Sequence, residues 1–394
     1  MSYVRCSSRR YHLDRLHSCP VGLNCRAIRS EIVLLGLILI GCVPLFGQAI
    51  SSPENELEKF VAEVAVRPLC RLGTEITTQP ETAITPPDGV TFLGPNLLAA
   101  TDAAYYRIQF FNPRTGEHLG HCGDPAIISG EIVNMTALPN GDLLTSDERA
   151  GQVYQLVKTG TGKPGYRLEE KPLFRQDGFK RLNGLAADSR GRVYVVDGAR
   201  GIVNRYLPGF KPDPSWKFQS RRPDNSVLLS RTEGIAIDEK SGTLFLTDES
   251  DGVIYAFDLE TGRWTGKAIG RRVDRETGKA LGKSVFQESI EGLAVIDDYL
   301  LAVDAGRADN YGRLLIFDLR SPFLYDTGME QCQQRMAAGN PSGLVGAMGH
   351  YHAPDGVAVF SGDDNAESLI AVAAQGDGQI MVYRWRDILA AMQR

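Results

Sequence analysis

The chain has little excess charge and no apolar run long enough to span a membrane. Its 394 residues carry 43 Lys and Arg against 48 Asp and Glu, a formal net charge of −5. Nucleic-acid-binding domains usually show a basic surplus, and no stretch interleaves basic with aromatic residues, so we expect no nucleic-acid partner. The longest apolar run, residues 32–41, is too short to cross a bilayer as a helix.

Cysteine and the common catalytic motifs are also scarce. The seven cysteines form no CxxC pair and no Cys/His spacing typical of a zinc site. There is no G-x-S-x-G, no P-loop and no G-x-G-x-x-G that opens a helix after a strand, so a nucleophile mechanism has no support. After the first 50 residues only Cys70, Cys122 and Cys332 remain. An oxidising compartment would allow a Cys70–Cys122 disulfide, and the odd count leaves at least one thiol unpaired.

The N-terminus predicts export. Arginines precede the apolar run, as in a signal peptide. Two processing sites compete, because Gly47-Gln48-Ala49 places small residues for cleavage, while Leu39-Ile40-Gly41-Cys42 resembles a bacterial lipobox. We therefore expect residues 1–49 to be a signal peptide or a lipoprotein leader, residues 50–59 to be a linker, and the protein to be periplasmic, extracellular or lipid-anchored at Cys42.

What the chain does contain is a repeat. Six short apolar strands each follow an oxygen-bearing residue, at spacings of 46, 49, 50, 58 and 64 residues. Each is followed by a turn and further short strands, as in one four-stranded propeller blade. The six residues are Asp88, Asn134, Asn183, Glu233, Glu291 and Asp355.

The repeat predicts an all-β fold, a six-bladed β-propeller of four-stranded antiparallel blades over residues 60–394. Residues 264–288 and 321–353 are predicted insertions. The last repeat ends soon after its third strand, so we expect residues 60–70 to supply the missing strand and close the ring, which removes two exposed sheet edges.

The six oxygen-bearing residues are expected to meet at one tunnel mouth. Carboxylates and amides are the ligands that calcium or magnesium prefers. The alternative is that these residues only cap turns through their own backbone. A second series follows each second strand and is predicted to be structural, binding backbone N–H groups. It comprises Asp102, Asp147, Asp197, Asp248 and Asp304.

The run from Glu233 onward resembles the C-terminal half of the β-propeller phytases and their phytase-like relatives. The matching phrases are Glu233-Gly234 with Asp248-Glu249, Ile290-Glu291-Gly292-Leu293, Pro354-Asp355-Gly356 and Trp385-Arg386-Asp387-Ile388. The resemblance implies a calcium-dependent phosphomonoester hydrolase that takes a small anionic substrate. It implies calcium ligands at Glu233, Glu249, Glu291 and Asp355, with Glu233 and Glu249 catalytic. It also implies phosphate-binding cations at Arg149 and Arg200.

Two further families share parts of the pattern. Gluconolactonase-like propellers hold one divalent cation between Glu, Asn, Asn and Asp, and Asn134, Asn183 and Glu233 suit that set, with Asp88 in place of a glutamate. Such a site would polarise a lactone carbonyl, with Glu233 or Asp88 as base. NHL-type propellers use similar phrases for structure alone and bind a protein partner. In each case we expect a monomer.

Overall fold

The computed structural model shows six antiparallel sheets that follow one another along the chain, which confirms the six-bladed propeller. It describes residues 63–73, 84–162, 164–175, 179, 181–287, 289–306, 311–338, 342–363 and 367–393. The predicted leader, the linker and both processing sites lie outside these residues. Within them, no helix is long and apolar enough to cross a membrane.

The blades are numbered 1 to 6 in chain order. Blade 1 comprises Val90–Gly94, Leu97–Asp102, Arg107–Phe111 and His118–Gly123. Blade 2 comprises Ile132–Ala137, Leu143–Asp147 and Gln152–Lys158, with Tyr166–Leu168 and Phe174–Arg175 both pairing with its third strand. Blade 3 comprises Leu182–Ala187, Val193–Asp197, Ile202–Leu207 and Lys211–Pro212.

The second half repeats the pattern. Blade 4 comprises Ile235–Asp238, Thr243–Asp248, Val253–Asp258 and Trp264–Ile269. Blade 5 comprises Ile290–Ile296, Tyr299–Asp304, Gly312–Asp318 and Leu344–Tyr351. Blade 6 comprises Pro354–Phe360, Leu369–Ala374 and Gln379–Arg384, and its outer strand is Cys70–Leu72.

The outer strand of blade 6 differs from its predicted bounds. Residues 60–70 were expected to form it, but the pairing with Gln379–Arg384 involves only Cys70–Leu72. Earlier in the segment, Glu63 makes a parallel bridge to Ala347 in the outer strand of blade 5. The segment therefore runs past blade 5 before it joins blade 6.

Both predicted insertions contain the outer strand of their own blade. Trp264–Ile269 pairs with Val253–Asp258, and only the hairpin of Arg272–Val273 and Ala280–Leu281 is additional. Within residues 321–353, a helix at Met329–Ala337 precedes the strand Leu344–Tyr351. A second helix, Trp385–Met392, ends the described chain, and its Trp385 indole donates a 2.7 Å hydrogen bond to Asp297.

The core lies between neighbouring blades. The second strands are the most apolar, and every residue of Leu369–Ala374 is buried. A strand reads as a continuous apolar run when both faces of its sheet are covered. Here the neighbouring blades cover both faces, as where Leu293 of blade 5 packs with Ala236 and Phe245 of blade 4.

The three described cysteines are free thiols, so the Cys70–Cys122 disulfide does not form. The sulfur of Cys70 lies beside Gly116, at the closed end of a blade 1 hairpin. Cys122 pairs with Ile108 near the open end of that hairpin, four residues beyond His118. Four strand residues span about 13 Å, whereas a disulfide needs Cα atoms within roughly 7 Å.

Candidate metal centre at the tunnel mouth

Glycines set the spacing of the innermost strands where each blade begins. A Cβ on Gly234 would lie 2.1 Å from the carbonyl oxygen of Glu291 in the next blade. Likewise, a Cβ on Gly356 of blade 6 would lie 2.3 Å from the carbonyl oxygen of Asp88 in blade 1. Since any side chain would clash there, these glycines are required by the packing of neighbouring blades. The acid–glycine pair therefore marks the fold as well as the candidate site. The residue before each glycine begins its blade at one end of the tunnel, here called the mouth.

Blade 2 is the exception to the predicted ring. Gly89 of blade 1 faces the carbonyl oxygen of Val133, at 2.6 Å from its would-be Cβ. The first strand of blade 2 has the same bulge as those of blades 3, 5 and 6, and in this register Asn134 lies opposite Ser146. Val133 therefore holds the ring position, and Asn134 stands where the other blades have glycine. The ring is Asp88, Val133, Asn183, Glu233, Glu291 and Asp355.

A repeated backbone contact brings a second row of side chains to the mouth. The residue after the second strand donates its N–H to the carbonyl of the residue two positions before the ring. The pairs are Glu148 to Glu131, Gly198 to Arg181, Glu249 to Arg231, Ala305 to Ser289 and Gln375 to Ala353. Sequence analysis missed Glu131, Arg181, Arg231 and Gln375 as site residues, although their fixed offsets from the ring were a usable signal.

The aspartates that end the second strands are structural, as expected. Asp147 accepts hydrogen bonds from the backbone N–H groups of Gly130, Glu131 and Ala150 at 2.9–3.1 Å. Asp248 accepts the equivalent bonds from Ser230 and Asp251. These carboxylates hold together the loops on which the mouth residues stand.

Three carboxylates converge between blades 4 and 5. One oxygen each of Glu233, Glu249 and Glu291 lies within 4.8 Å of the others. The residues are only 8%, 8% and 2% exposed. Ser289 Oγ donates a 2.6 Å hydrogen bond to Glu291 Oε1, whereas Glu291 Oε2 and Glu249 Oε1 are buried and accept none. Buried carboxylate oxygens without donors are costly, so this cluster has the chemistry of an oxygen-ligand cation site.

Arginines surround the acids. Arg181 pairs with Glu148 and, at 2.7 Å, with Glu233. Arg231 lies 2.9 Å from Glu249, and 41% of its side chain is exposed. The predicted phosphate-binding Arg149 also reaches the mouth, where it contacts Glu131 at 3.0 Å.

The other predicted phosphate-binding residue makes a different contact. Arg200 lies 3.6 Å from the structural Asp197, and its side chain is 42% exposed. Among the described residues, no hydrogen bond or ion pair joins the Arg200 side chain to a mouth carboxylate. Arg181 and Arg231, from the turns before blades 3 and 4, thus contact the acidic cluster, whereas Arg149 of blade 2 reaches the mouth at Glu131.

A second pair of acids meets across blades 6 and 1. The Gln375 amide donates to Asp88 Oδ1 and, at 3.5 Å, to Asp355 Oδ2. Asp88 is 1% exposed, and its Oδ2 accepts no hydrogen bond. One amide therefore donates hydrogen bonds to two carboxylates, and the buried Asp88 Oδ2 has no donor.

Burial and mutual repulsion dominate the acid–base properties of the mouth. Burial raises the pKa of Asp88, Glu233 and Asp355 well above the usual range, and nearby carboxylates raise it further. Burial, followed by the charge of Glu291, raises the pKa of Glu249 to about 7. Acids packed in this way are stabilised in their charged forms by a bound cation.

The donor set fits calcium better than zinc. The mouth acids and Asn183 offer only oxygen ligands, among them Asn183 Oδ1, which is buried without a hydrogen-bond donor in a residue that is 4% exposed. Oxygen-only ligands suit calcium and magnesium, whereas zinc takes nitrogen and sulfur. The structure thus places five of the six predicted metal residues at the ring, brings Glu249, which the phytase-like resemblance also implies, beside two of them, and offsets Asn134 by one residue.

Comparisons with known proteins show the fold. No protein-family model and no curated protein matches the chain. The PQQ-bound aldose sugar dehydrogenase from Streptomyces coelicolor is 16% identical over 81% of this chain and 98% of its own, with a TM-score of 0.55. Hydrazine synthase from Kuenenia stuttgartiensis is 12% identical over 79% and 99%, with a TM-score of 0.51. Virginiamycin B lyase from Staphylococcus aureus is 13% identical over 80% and 87%, with a TM-score of 0.45.

At these identities the likeness shows a propeller and no more. The chain is a six-bladed β-propeller with four-stranded antiparallel sheets. The two neighbours with TM-scores above 0.5, a dehydrogenase and a hydrazine synthase, differ in chemistry. They do not confirm the resemblance to the phytase-like family.

Proposed function

We propose that this propeller is a calcium-dependent hydrolase of phosphomonoesters that acts at the tunnel mouth. The observation that carries the proposal is the buried cluster of Glu233, Glu249 and Glu291, whose oxygens lie within 4.8 Å of one another. Two of those oxygens have no hydrogen-bond donor, and arginines stand beside them. Buried acids next to exposed guanidinium groups suit a ligand that joins a cation to an anion.

The mouth residues would have distinct roles as cation ligands and as phosphoryl-binding groups. Glu233 and Glu291 are held in place, by Arg181 and Ser289 respectively, and would serve as cation ligands with Asn183. A bound divalent cation would neutralise the phosphoryl group and favour attack by water. Arg231 and Arg149, whose side chains are 41% and 48% exposed, would orient the phosphoryl oxygens.

Glu249 would act as the general base. Its Oε1 accepts no hydrogen bond, and in the cation-free protein burial and the charge of Glu291 raise its pKa to about 7. A group that titrates near the working pH is an effective general base. Glu249 would therefore accept a proton from the attacking water at Oε1.

The lactonase alternative has less support. It requires an oxygen ligand from blade 2 at the ring, and Val133 holds that position. The arginines beside the acids also have no role in polarising an uncharged lactone. A binding propeller remains the other outcome of the test below.

The test is hydrolysis of 4-nitrophenyl phosphate with calcium and with a chelator, for the wild type, Glu291→Gln and Glu169→Gln. Glu169 pairs with Arg167 on the surface, and 37% of its side chain is exposed, so it serves as a remote control. We expect calcium-dependent turnover that only Glu291→Gln abolishes. Thermal stabilisation by calcium without turnover would indicate a binding propeller, and no response of either kind would reject the cation site.

A further inference from the structure

The exposed tyrosines of the described residues occupy the same connection in two different blades. In the described part of the chain, the exposed large hydrophobic side chains are Tyr105, Tyr106, Leu207, Val227, Leu281 and Tyr311. All three tyrosines lie in the connection between the second and third strands of their blade. The same connections carry Glu148, Glu249 and Gln375 to the mouth, so the tyrosines stand on the mouth side.

Tyr106 occupies a position that other blades give to glycine. Its φ of 54° and ψ of 41° are left-handed, and it closes the turn that follows the second strand of blade 1. The equivalent residues of blades 2, 3, 4 and 6 are Gly151, Gly201, Gly252 and Gly378, with φ of 59–61°. A bulky side chain in this conformation costs free energy that glycine avoids. Its side chain is nevertheless 37% exposed, so packing of the side chain offsets only part of this free-energy cost.

Tyr105 is held in position beside it. The guanidinium of Arg107 lies 4.7 Å from the centre of the Tyr105 ring, and the same group pairs with buried Asp102 at 2.8 Å. The ring is thus fixed on one side and is 43% exposed. A pre-ordered aromatic ring loses little entropy when a ligand stacks on it.

The third tyrosine extends the aromatic side. Tyr311 of blade 5 is 58% exposed, and its ring lies 5.9 Å from that of His352. His352 in turn lies beside Gly376, in the turn that carries Gln375. The aromatic residues thus flank blade 6 on the side of blades 5 and 1, whereas Arg149, Arg181 and Arg231 stand at blades 2 to 4.

We infer that Tyr105 and Tyr106 form a binding platform for a ring, so that the substrate class is a phosphomonoester of a sugar or an aryl group. The inference rests on the proposed function for the phosphoryl end, which the arginines and the acidic cluster bind. The opposite side of the mouth presents tyrosine faces, which stack on flat apolar surfaces. Backbone strain retained at an exposed position is explained by ligand binding.

The test compares three substrates in calcium: 4-nitrophenyl phosphate, glucose 6-phosphate and glycerol 2-phosphate, the last of which has no ring. For Tyr106→Gly we expect KM to rise about tenfold for one or both ring-bearing esters, at constant kcat. We expect no change for glycerol 2-phosphate and a thermal midpoint that is equal or higher, because glycine relieves the left-handed strain. Tyr106→Phe should retain the wild-type KM, and Val227→Ala is the control for an exposed side chain elsewhere.

Several outcomes would overturn the platform. An equal change for all three esters would mean that Tyr106 supports the site as a whole, and no change for any would remove its role. If the wild type hydrolyses none of them, the proposed function fails. The platform is then tested by calorimetry of 4-nitrophenyl phosphate and inorganic phosphate with calcium. Tighter binding of the ester that Tyr106→Gly abolishes would support it, whereas equal or absent binding would reject it.

Discussion

Arg181 Nη2 lies 2.7 Å from Glu233 Oε1, while Nε of the same guanidinium donates to Glu148. One arginine from the turn before blade 3 thus joins the acids of blades 2 and 4. Burial and the neighbouring carboxylates raise the pKa of Glu233, and the charge of Arg181 opposes that rise.

The first prediction concerns this arginine. Arg181→Gln leaves two largely buried acids without their cation, so we expect the free energy of unfolding to fall by roughly 2 kcal/mol in calcium-free buffer. Calcium should restore part of the loss. Arg167→Gln, which removes only a surface pair with Glu169, should change stability by less than about 0.5 kcal/mol. Denaturant unfolding with and without calcium measures both, and equal losses would contradict the role of Arg181.

The second prediction separates two asparagines that the sequence treats alike. Asn183 has a buried Oδ1 without a donor, whereas Asn134 lies one residue after the ring position, which Val133 holds. Asn183→Ala should weaken calcium binding by about tenfold, the effect of roughly 1.4 kcal/mol, and Asn134→Ala should leave it unchanged. Calorimetric titration with calcium measures the difference. Equal weakening by both variants would restore the ring predicted from spacing.

This pair shows what could be predicted from the sequence. The six-fold repeat was sufficient for the propeller, because acid–glycine phrases mark a close backbone approach that recurs in each blade. It misplaced Asn134 by one residue, because blade 2 has an asparagine at the position where the other blades have glycine. The outer strands of blades 4 and 5 were predicted to be insertions because their sequences lack a clear strand pattern or follow a long connection. Trp264–Ile269 alternates exposed and buried residues, and a long connection precedes Leu344–Tyr351.

The site itself was predicted only in part. Ring residues could be found because they recur at one point of the repeat. Arg181 and Arg231 both lie two residues before the ring, but the other blades have different residue types there, and Gln375 has no counterpart among the equivalent residues of the other blades. Their importance depends on the backbone hydrogen bonds between the two rows of the mouth, which a sequence does not display.

The third prediction is a pH dependence. Folding raises the pKa of Glu249 from 4.5 to about 7, so the folded state binds more protons between these values than the unfolded state. The stabilisation is therefore complete below about pH 4.5 and is lost as the pH rises to 7, by up to about 3 kcal/mol. Thermal unfolding in chelator should show a midpoint that falls across this window, with a shallower fall for Glu249→Gln.

Calcium should reverse the trend, because a cation binds the charged carboxylates. Its affinity is expected to rise between pH 5 and 7.5, as the cluster loses protons. A melting midpoint in chelator that rises with pH across the same window would contradict the repulsive cluster.

The last prediction uses Gln375, whose amide donates to both Asp88 and Asp355. Gln375→Glu replaces that donor by a third carboxylate, so the mouth of calcium-free protein gains repulsion at a site where Asp88 is 1% exposed. We expect destabilisation of roughly 2 kcal/mol or more without calcium, and tighter calcium binding because the cation gains an anionic ligand. A matched control is Gln155→Glu, since Gln155 donates to Asp142 at 2.8 Å in blade 2. This control should lose stability by local repulsion that calcium does not relieve. If calcium rescued both variants equally, or neither, the acids of blades 6 and 1 would not belong to the cation site.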